Sequence, residues 1–278
     1  MSRNTLRTAA LVCVSGAATT INAQDLGAST SDDPTAGIES IRITGVIRDF
    51  KVSHPDFETY PGSHNENMVL DDLGEDGKPV LNVDLAASRG WGQNAGVTSE
   101  EGFNQWYRDV PGVNVSMPLT IELARENRVS GPVYVFAKER PEYFFPVDSQ
   151  GYGLSMEGLL WSPPGTHNFH FTYELETEFT YTDPKDRDND LVYTFTGDDD
   201  VWVFINGKLA IDIGGVHGQM SRSVNLDEKA EELGLEAGGT YQLKLFFAER
   251  HTSESNFRIE TNITLRPAKL PTMSALAD

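Results

Sequence analysis

The sequence is poor in basic residues and has almost no cysteine. Its 278 residues include 22 Lys and Arg against 42 Asp and Glu, which gives a formal net charge of -20, and it has one cysteine. A nucleic-acid-binding protein needs basic side chains to displace counterions from phosphates, so this balance excludes DNA and RNA as expected partners. With 38% hydrophobic and 10% aromatic residues, the chain can bury a core, and we do not expect global disorder.

Long hydrophobic runs are also lacking. After the N-terminal segment no stretch of about 18 apolar residues occurs, so the sequence predicts no transmembrane helix. Residues 1–23 predict a secretory signal, because two arginines precede an apolar stretch that ends in small residues at Ala23; a short buried helix is the alternative. The single cysteine, Cys13, lies inside this segment. A mature chain from Gln24 would have no disulfide, so its stability would come from its core, bound ions, or both.

The composition then changes along the chain. Residues 24–40 are polar and small, which predicts a flexible leader. We expect one globular domain over residues 41–266, with its core β-sandwich at about residues 130–266, and a disordered tail over residues 267–278. Within the domain, residues 60–93 are rich in Gly, Asp and Asn, which predicts a long loop region with short strands.

Most apolar segments of the domain alternate with period two, which is typical of half-buried strands. Only two short helices are predicted, one following Ser99 as N-cap and one over residues 227–233. Many strands without a strand–helix rhythm favour an all-β antiparallel sandwich or barrel. The predicted strands cover residues 41–47, 119–123, 132–136, 168–175, 191–195, 201–205, 209–213, 241–247 and 257–265.

Two of these strands form the clearest local motif. Asn206-Gly207 separates residues 201–205 from residues 209–213. This dipeptide suits both central positions of a type I′ turn, where the backbone needs a positive φ. The sequence therefore predicts a tight β-hairpin.

Three adjacent carboxylates, Asp198, Asp199 and Asp200, stand at the entry to this hairpin. Like charges so close together repel one another, and a fold that holds them together needs a cation or several hydrogen-bond donors. The alternative is that all three point to water in a turn. Calcium is bound by oxygen ligands, so it is the cation that we expect in a strongly acidic exported chain.

The string GDDDVWVFINGKLAIDIGGVHG, from Gly197 to Gly218, resembles the hallmark of the fibro-slime domain family. Its paired aspartates, strand and Asn-Gly-Lys are similar to the glycan-binding β-sandwich of the anthrax protective-antigen (PA-14) type. The resemblance covers roughly residues 41–265 and implies a lectin-like sandwich with an N-terminal extension packed on it. Further motifs that resemble this family are TGVIRDF at residues 44–50, HPDFE at 54–58, FNQWYRDVPG at 103–112 and FAERH at 247–251.

In lectin-like members of the protective-antigen-type fold, the resemblance implies that a paired Asp-Asp, often joined by a cis peptide, binds calcium. The calcium in turn binds sugar hydroxyls. By position the pair is Asp198 and Asp199, and Asp200 stands where relatives usually have glycine. We take all three aspartates as candidate metal ligands.

Five more residues are candidate ligand-binding groups because they lie in loops expected at the same end of the sandwich, where binding residues gather. They are Asp212, His217, Glu249, Arg250 and Asn256. Structural alternatives remain for four of them. Asp212 could cap the following glycine turn, and His217 could make a hydrogen bond within its loop, since calcium does not favour neutral histidine. Glu249 and Arg250 could form an ion pair.

These features predict a secreted or cell-surface module that binds extracellular glycans or mediates adhesion with the help of calcium, and that is not an enzyme. One alternative is an extracellular matrix or surface-layer protein in which calcium only stabilises the fold. Another is a polysaccharide hydrolase, which would need two carboxylates at a defined separation across a cleft, and spacing selects no such pair. The sequence does not fix the glycan or the oligomeric state.

Overall fold

The computed structural model describes residues 38–58, 64–92, 94–162 and 165–268. The predicted signal segment, almost all of the predicted leader and residues 269–278 of the predicted tail lie outside the described residues. None of the helices within these ranges is long and apolar enough to cross a bilayer.

The described fold is dominated by β-strands, with three short α-helices. The helices are α1 (Val83–Arg89), α2 (Glu100–Asn104) and α3 (Ala230–Leu233). The strands are β1 (Ser40–Phe50), β2 (Asn114–Arg128), β3 (Gly131–Lys138), β4 (Leu160–Ser162), β5 (Gly165–His167), β6 (Phe171–Thr180), β7 (Val192–Gly197), β8 (Asp200–Ile205), β9 (Lys208–Ile213), β10 (Met220–Asn225), β11 (Thr240–Glu249), β12 (Phe257–Thr261) and β13 (Arg266–Pro267).

Eleven of these strands build a single sheet in which every pairing is antiparallel. Its order is β10-β7-β12-β3-β2-β1-β6-β11-β8-β9, with β13 paired to β6 beside this path, while β4 and β5 form a separate hairpin. The sheet folds over so that its two end strands, β9 and β10, come close to each other. The result is a nearly closed sandwich or barrel, which confirms the predicted all-β class.

Two hydrophobic cores lie on opposite sides of β8 and β11. The first lies inside the folded-over sheet and includes Leu245 and Phe247. The second lies on the outer side, where Trp202 and Phe246 pack against aromatic residues that precede β2, among them Trp106. Because strand side chains alternate, successive residues of β8 and β11 face different cores. This double burial explains why β8 is apolar from Val201 to Ile205 and β11 from Leu245 to Ala248.

Local sequence signals place the turns where they are predicted. The Ser99 hydroxyl accepts a hydrogen bond from the Gly102 amide at 3.0 Å and caps α2. Asn206 and Gly207 have φ values of 52° and 78°, as a type I′ hairpin requires. Gly234, also with positive φ, ends α3.

The structure adds elements that the sequence analysis does not predict. Helix α1 lies inside the region predicted as loop, where Asn82 caps it through the Leu85 amide at 3.2 Å. Strand β10 forms one end of the sheet. Strands β1 and β2, which precede the predicted core, are central members of the same sheet.

Candidate metal centre

The acidic turn, formed by Asp198, Asp199 and Asp200, lies at one end of the sandwich, where several strand ends meet. The strand register pairs Phe171 at the start of β6 with both Asp49 and Glu249, near the ends of β1 and β11. Asp200 at the start of β8 pairs with Ala248 of β11. The loops that precede β8 and follow β11 therefore emerge side by side, as expected for the predicted ligand groups.

Asp198 is held by the segment that leads into β12. Its carboxylate accepts hydrogen bonds from the Asn256 amide N–H at 2.5 Å and from the Asn256 side-chain Nδ2 at 2.9 Å. Asp198 is 4% exposed and Asn256 is 2% exposed. Burial raises the pKa of Asp198, and the two bonds from Asn256 oppose this shift. The structure thus brings these two predicted site residues into direct contact.

Asp199 is joined to Asp198 by a cis peptide bond. Its carboxylate accepts hydrogen bonds from two backbone amides, those of His217 and Arg250, each at 3.1 Å. Burial and the nearby charge of Asp198 raise the pKa of Asp199 well above its usual range. Backbone donors therefore fix the orientation of this carboxylate without neutralising its charge.

Asp200 faces the opposite side of the strand and has a different set of partners. One carboxylate oxygen accepts from Arg250 Nε at 2.6 Å and the other accepts from the Gly215 amide at 2.6 Å. Both Asp200 and Arg250 are at most 1% exposed. The ion-pair partner of Arg250 is thus Asp200 rather than the adjacent Glu249.

Glu249 is a fully buried carboxylate with no hydrogen bond of normal geometry to either oxygen within the described part of the chain. Burial and the charges of Asp199 and Asp198 raise its pKa well above the usual range. The Ser255 hydroxyl and the His251 amide lower this pKa only partly, and the Ser255 hydroxyl donates instead to the Phe144 carbonyl at 2.8 Å.

The alternation of β11 explains why its two last charged residues behave so differently. Phe247 faces the inner core and Ala248 the outer core. Glu249 continues the inner face and Arg250 the outer face, because neighbouring side chains of a strand point to opposite sides. Glu249 accordingly lies near Asp198 and Asp199, whereas Arg250 reaches the segment that precedes β2.

Asp212 and His217 lie beside the acidic turn in mainly structural contacts. Asp212 accepts from Trp202 Nε1 at 3.0 Å and from the Asn67 amide at 2.6 Å, and burial raises its pKa. His217 Nδ1 lies 2.8 Å from the Gly218 carbonyl. The backbone of His217, rather than its ring, contacts Asp199.

Two further residues at this end are absent from the predicted site. Glu254 Oε2 accepts from Asn256 Nδ2 at 3.3 Å. Its position two residues before Asn256 is the sequence feature from which it could be predicted. Asp56 belongs to the HPDFE motif, but its connection to the turn runs through the Arg250 guanidinium, 194 residues away in sequence, and the motif does not predict that contact.

Buried carboxylates are concentrated at this end of the sandwich. Asp198, Asp199 and Glu249 are buried carboxylates; the charge of Asp198 raises the pKa of Asp199, and the charges of Asp199 and Asp198 raise the pKa of Glu249. Neither oxygen of Glu249 accepts a hydrogen bond of normal geometry from the described residues. Among the described residues, no group of three or more His, Cys, Asp or Glu side chains is arranged so that it could hold a metal ion. Calcium also accepts amide and backbone carbonyl oxygens, which the loops around these carboxylates can supply.

The comparison with family models identifies one match, a PA14 domain over residues 163–274. This match includes the acidic turn and supports the predicted resemblance to the protective-antigen-type sandwich. Two solved structures show weak likeness. A subtype-switched epithelial adhesin 9 to 1 A domain from Candida glabrata, solved in complex with beta-lactose, has 10% identity, 84% coverage of both chains and a TM-score of 0.26. An anti-sigma factor domain-containing protein has 17% identity over 39% of this chain and 37% of its own, with a TM-score of 0.28. These scores are too low to carry an argument.

Curated relatives are more similar in sequence. Protein psiQ of Dictyostelium discoideum is 37% identical over 74% of this chain, protein psiH is 36% identical over 81%, and protein psiD is 37% identical over 81%. The matched region spans only 19%, 30% and 42% of these three proteins, respectively. The chain is thus an all-β protein that carries a PA14 domain match over residues 163–274 and is similar over most of its length to psi proteins.

Proposed function

We propose that this protein is an exported, calcium-assisted carbohydrate-binding or adhesion module with its site at Asp198 and Asp199. The observation that carries the proposal is Glu249, a buried carboxylate that accepts no hydrogen bond of normal geometry from the described residues and lies beside two other buried carboxylates. An unpaired buried charge is costly unless a cation or donors compensate it. A bound calcium ion would supply that compensation.

The proposed ligands are Asp198, Asp199 and Glu249, with the Asn256 side-chain oxygen as a neutral candidate. When bound, calcium would supply open coordination positions that vicinal sugar hydroxyls can fill. The chain's own contribution is orientation. Asn256 holds Asp198, and the backbone amides of His217 and Arg250 hold Asp199.

The wider assignment rests on several supports. Membership of the fibro-slime family is supported by the motifs that resemble it and by the PA14 match. Export to the cell surface or medium is supported by the predicted signal over residues 1–23. Extracellular glycans are the proposed partners, and no catalytic step is part of the proposal.

The test compares two paired substitutions in the chain from Gln24. We expect Asp198→Asn with Asp199→Asn to weaken calcium binding by at least about 100-fold, because each lost carboxylate ligand costs about tenfold or more. Asp186→Asn with Asp188→Asn is the matched control, since both residues are exposed in another loop. A glycan array with calcium and with chelator then tests the sugar. Unchanged calcium and glycan binding in the first variant would refute the site.

A purely structural calcium site is the second candidate, and one observation favours it. Asp198 and Asp199 are each only 4% exposed, which leaves little open surface for a sugar. In this case calcium would raise the melting temperature, as any ligand of the native state does, but the glycan array would show no binding. The protein would then act as an extracellular matrix or surface-layer component.

A further inference from the structure

Arg250 connects the acidic turn to a part of the chain outside the PA14 match. Its backbone amide donates to Asp199 and its Nε donates to Asp200. Its Nη1 donates to two backbone carbonyls, Gly96 at 2.6 Å and Asp56 at 3.2 Å. One guanidinium therefore links the residue that follows the candidate metal pair to two loops that precede β2.

Those loops are themselves rigidly held. Asp56 accepts from both the amide and the hydroxyl of Thr98, at 2.7 and 2.6 Å, and from Trp106 Nε1 at 3.0 Å. The Arg250 guanidinium carbon lies 4.6 Å from the centre of the Trp106 ring, a cation–π contact within a buried site. The Arg250 guanidinium therefore contacts three groups of these loops: the Asp56 carbonyl, the Gly96 carbonyl and the Trp106 ring.

A second contact reaches the other side of the turn. The Asn65 amide donates to the Gly214 carbonyl at 2.5 Å and the Asn67 amide donates to Asp212. Gly214 begins the turn that carries the His217 amide onto Asp199. Both backbone donors of Asp199 thus belong to segments that contact Asp56, Gly96, Asn65 or Asn67.

We propose that Arg250 is a positioning residue for the calcium site and that, through it, the segment before β2 holds the Asp199 carboxylate in its binding orientation. The proposal rests on the proposed function and extends it, because it makes Asp56, Gly96 and Trp106 part of the support of the site. The PA14 match begins at residue 163, so a fragment limited to that match would lack this support.

The shape of arginine is needed for this role. The planar guanidinium can donate to Asp200 and to two carbonyls at once while stacking on Trp106. A lysine ammonium cannot reproduce this planar arrangement of donors. Burial alone would lower the pKa of Arg250, but the charges of Asp200 and Asp199 raise it. The cation therefore stays charged, and Arg250→Lys changes its geometry more than its charge.

The test compares Arg250→Lys with Arg48→Lys in the chain from Gln24. Arg48 is the matched control because it is also buried, at 3% exposure, and also joins two carboxylates, Asp109 at 2.9 Å and Glu174 at 3.0 Å. Both variants should lower the melting temperature in chelator. We expect calcium affinity to fall at least tenfold in Arg250→Lys and to stay within about twofold of wild type in Arg48→Lys. Equal affinities in the two folded variants would overturn the positioning role and leave the calcium site standing.

Hydrogen exchange of the wild-type chain keeps the proposal testable if Arg250→Lys does not fold. The Glu58 amide donates to the Arg250 carbonyl at 2.8 Å. Coupling between sites is reciprocal, so calcium should slow exchange of the Thr98, Glu58 and Asn65 amides. We expect at least a tenfold larger slowing there than at Leu233 of α3, at the far end of the sandwich. Equal slowing at all four amides would overturn the proposal. If calcium binds nowhere on the wild-type chain, the proposed function itself fails, and the positioning role fails with it.

Discussion

Glu249→Gln should change stability in opposite directions with and without calcium. Glutamine has the shape of glutamate but removes the charge of a side chain that is fully buried and accepts no hydrogen bond of normal geometry from the described residues. In chelator, the wild-type protein bears the cost of holding this carboxyl near Asp198 and Asp199. With calcium bound, the same carboxylate becomes a ligand, and its loss should weaken binding.

The expected size follows from the burial of the group. An unsatisfied buried polar group costs about 1–3 kcal/mol, and the glutamine amide recovers part of that cost. We therefore expect the variant in chelator to be about 1–2 kcal/mol more stable than wild type. For a domain of this size that corresponds to a melting temperature about 2–8 °C higher. In calcium, the loss of one carboxylate ligand should lower affinity about tenfold or more, or about 1.4 kcal/mol per factor of ten.

The direction in which stability changes with pH also follows from the burial of Glu249. Because the folded protein raises the pKa of Glu249 above its usual 4.5, the protonated form is favoured on folding, and the stability of wild type falls as pH rises above about 4. The advantage of Glu249→Gln in chelator should therefore be small near pH 4 and grow towards pH 7.

Thermal melts at pH 4 to 7 in chelator, with calcium calorimetry at pH 7, measure both effects. Glu231→Gln is the control, because Glu231 is an exposed residue of α3 at the other end of the sandwich. A variant that is less stable than wild type in chelator, or that binds calcium as tightly as wild type, would refute the assignment of Glu249.

Three further predictions concern the fold around the site. Burial raises the pKa of Asp49 to about 6, so this group should reduce stability by up to about 3 kcal/mol as pH rises from 4 to 7; urea unfolding of Asp49→Asn should show a flatter pH profile, and an unchanged profile would contradict the burial effect. Gly45→Ala should destabilise the fold by about 2 kcal/mol or more, because its Cβ would lie 2.2 Å from the Glu174 carbonyl oxygen; a urea midpoint equal to wild type would show that the strands can separate there. Asp212→Ala should cost about 1–3 kcal/mol by leaving the Trp202 indole N–H without its acceptor; a urea midpoint equal to wild type would contradict the structural role of this carboxylate.

Much of the fold could be predicted because its signals are local. The Asn206-Gly207 turn and the Ser99 cap depend on backbone preferences of one or two residues. Helix α1 was not predicted because its seven residues lie among turn-forming residues that carry the stronger signal. Strand β10 escapes prediction for a different reason: three of its six residues are exposed and only Val224 is buried, so its sequence shows no clear alternation of apolar and polar residues.

The acidic pair of the candidate site can be predicted from the sequence, but the residues that hold this pair in place cannot. Asp198 and Asp199 are conspicuous because adjacent carboxylates repel, but their placement beside Glu249 depends on the register of β8 and β11. The pairing of Arg250 with Asp200 joins residues 50 positions apart. Strand alternation could have placed Arg250 on the outer face, but no sequence rule identifies the carbonyls that it meets there.

Calorimetric titration of the chain from Gln24 with calcium tests the central claim most directly. We expect one site with a Kd in the range of about 10⁻⁶ to 10⁻³ M. At a 100-fold excess of calcium over Kd, the native state should gain about 2.7 kcal/mol, which a melting curve would detect as a clear rise over the curve in chelator. Absence of both binding heat and thermal shift would contradict the claim and leave Asp198, Asp199 and Glu249 as a cluster of carboxyls held without a cation.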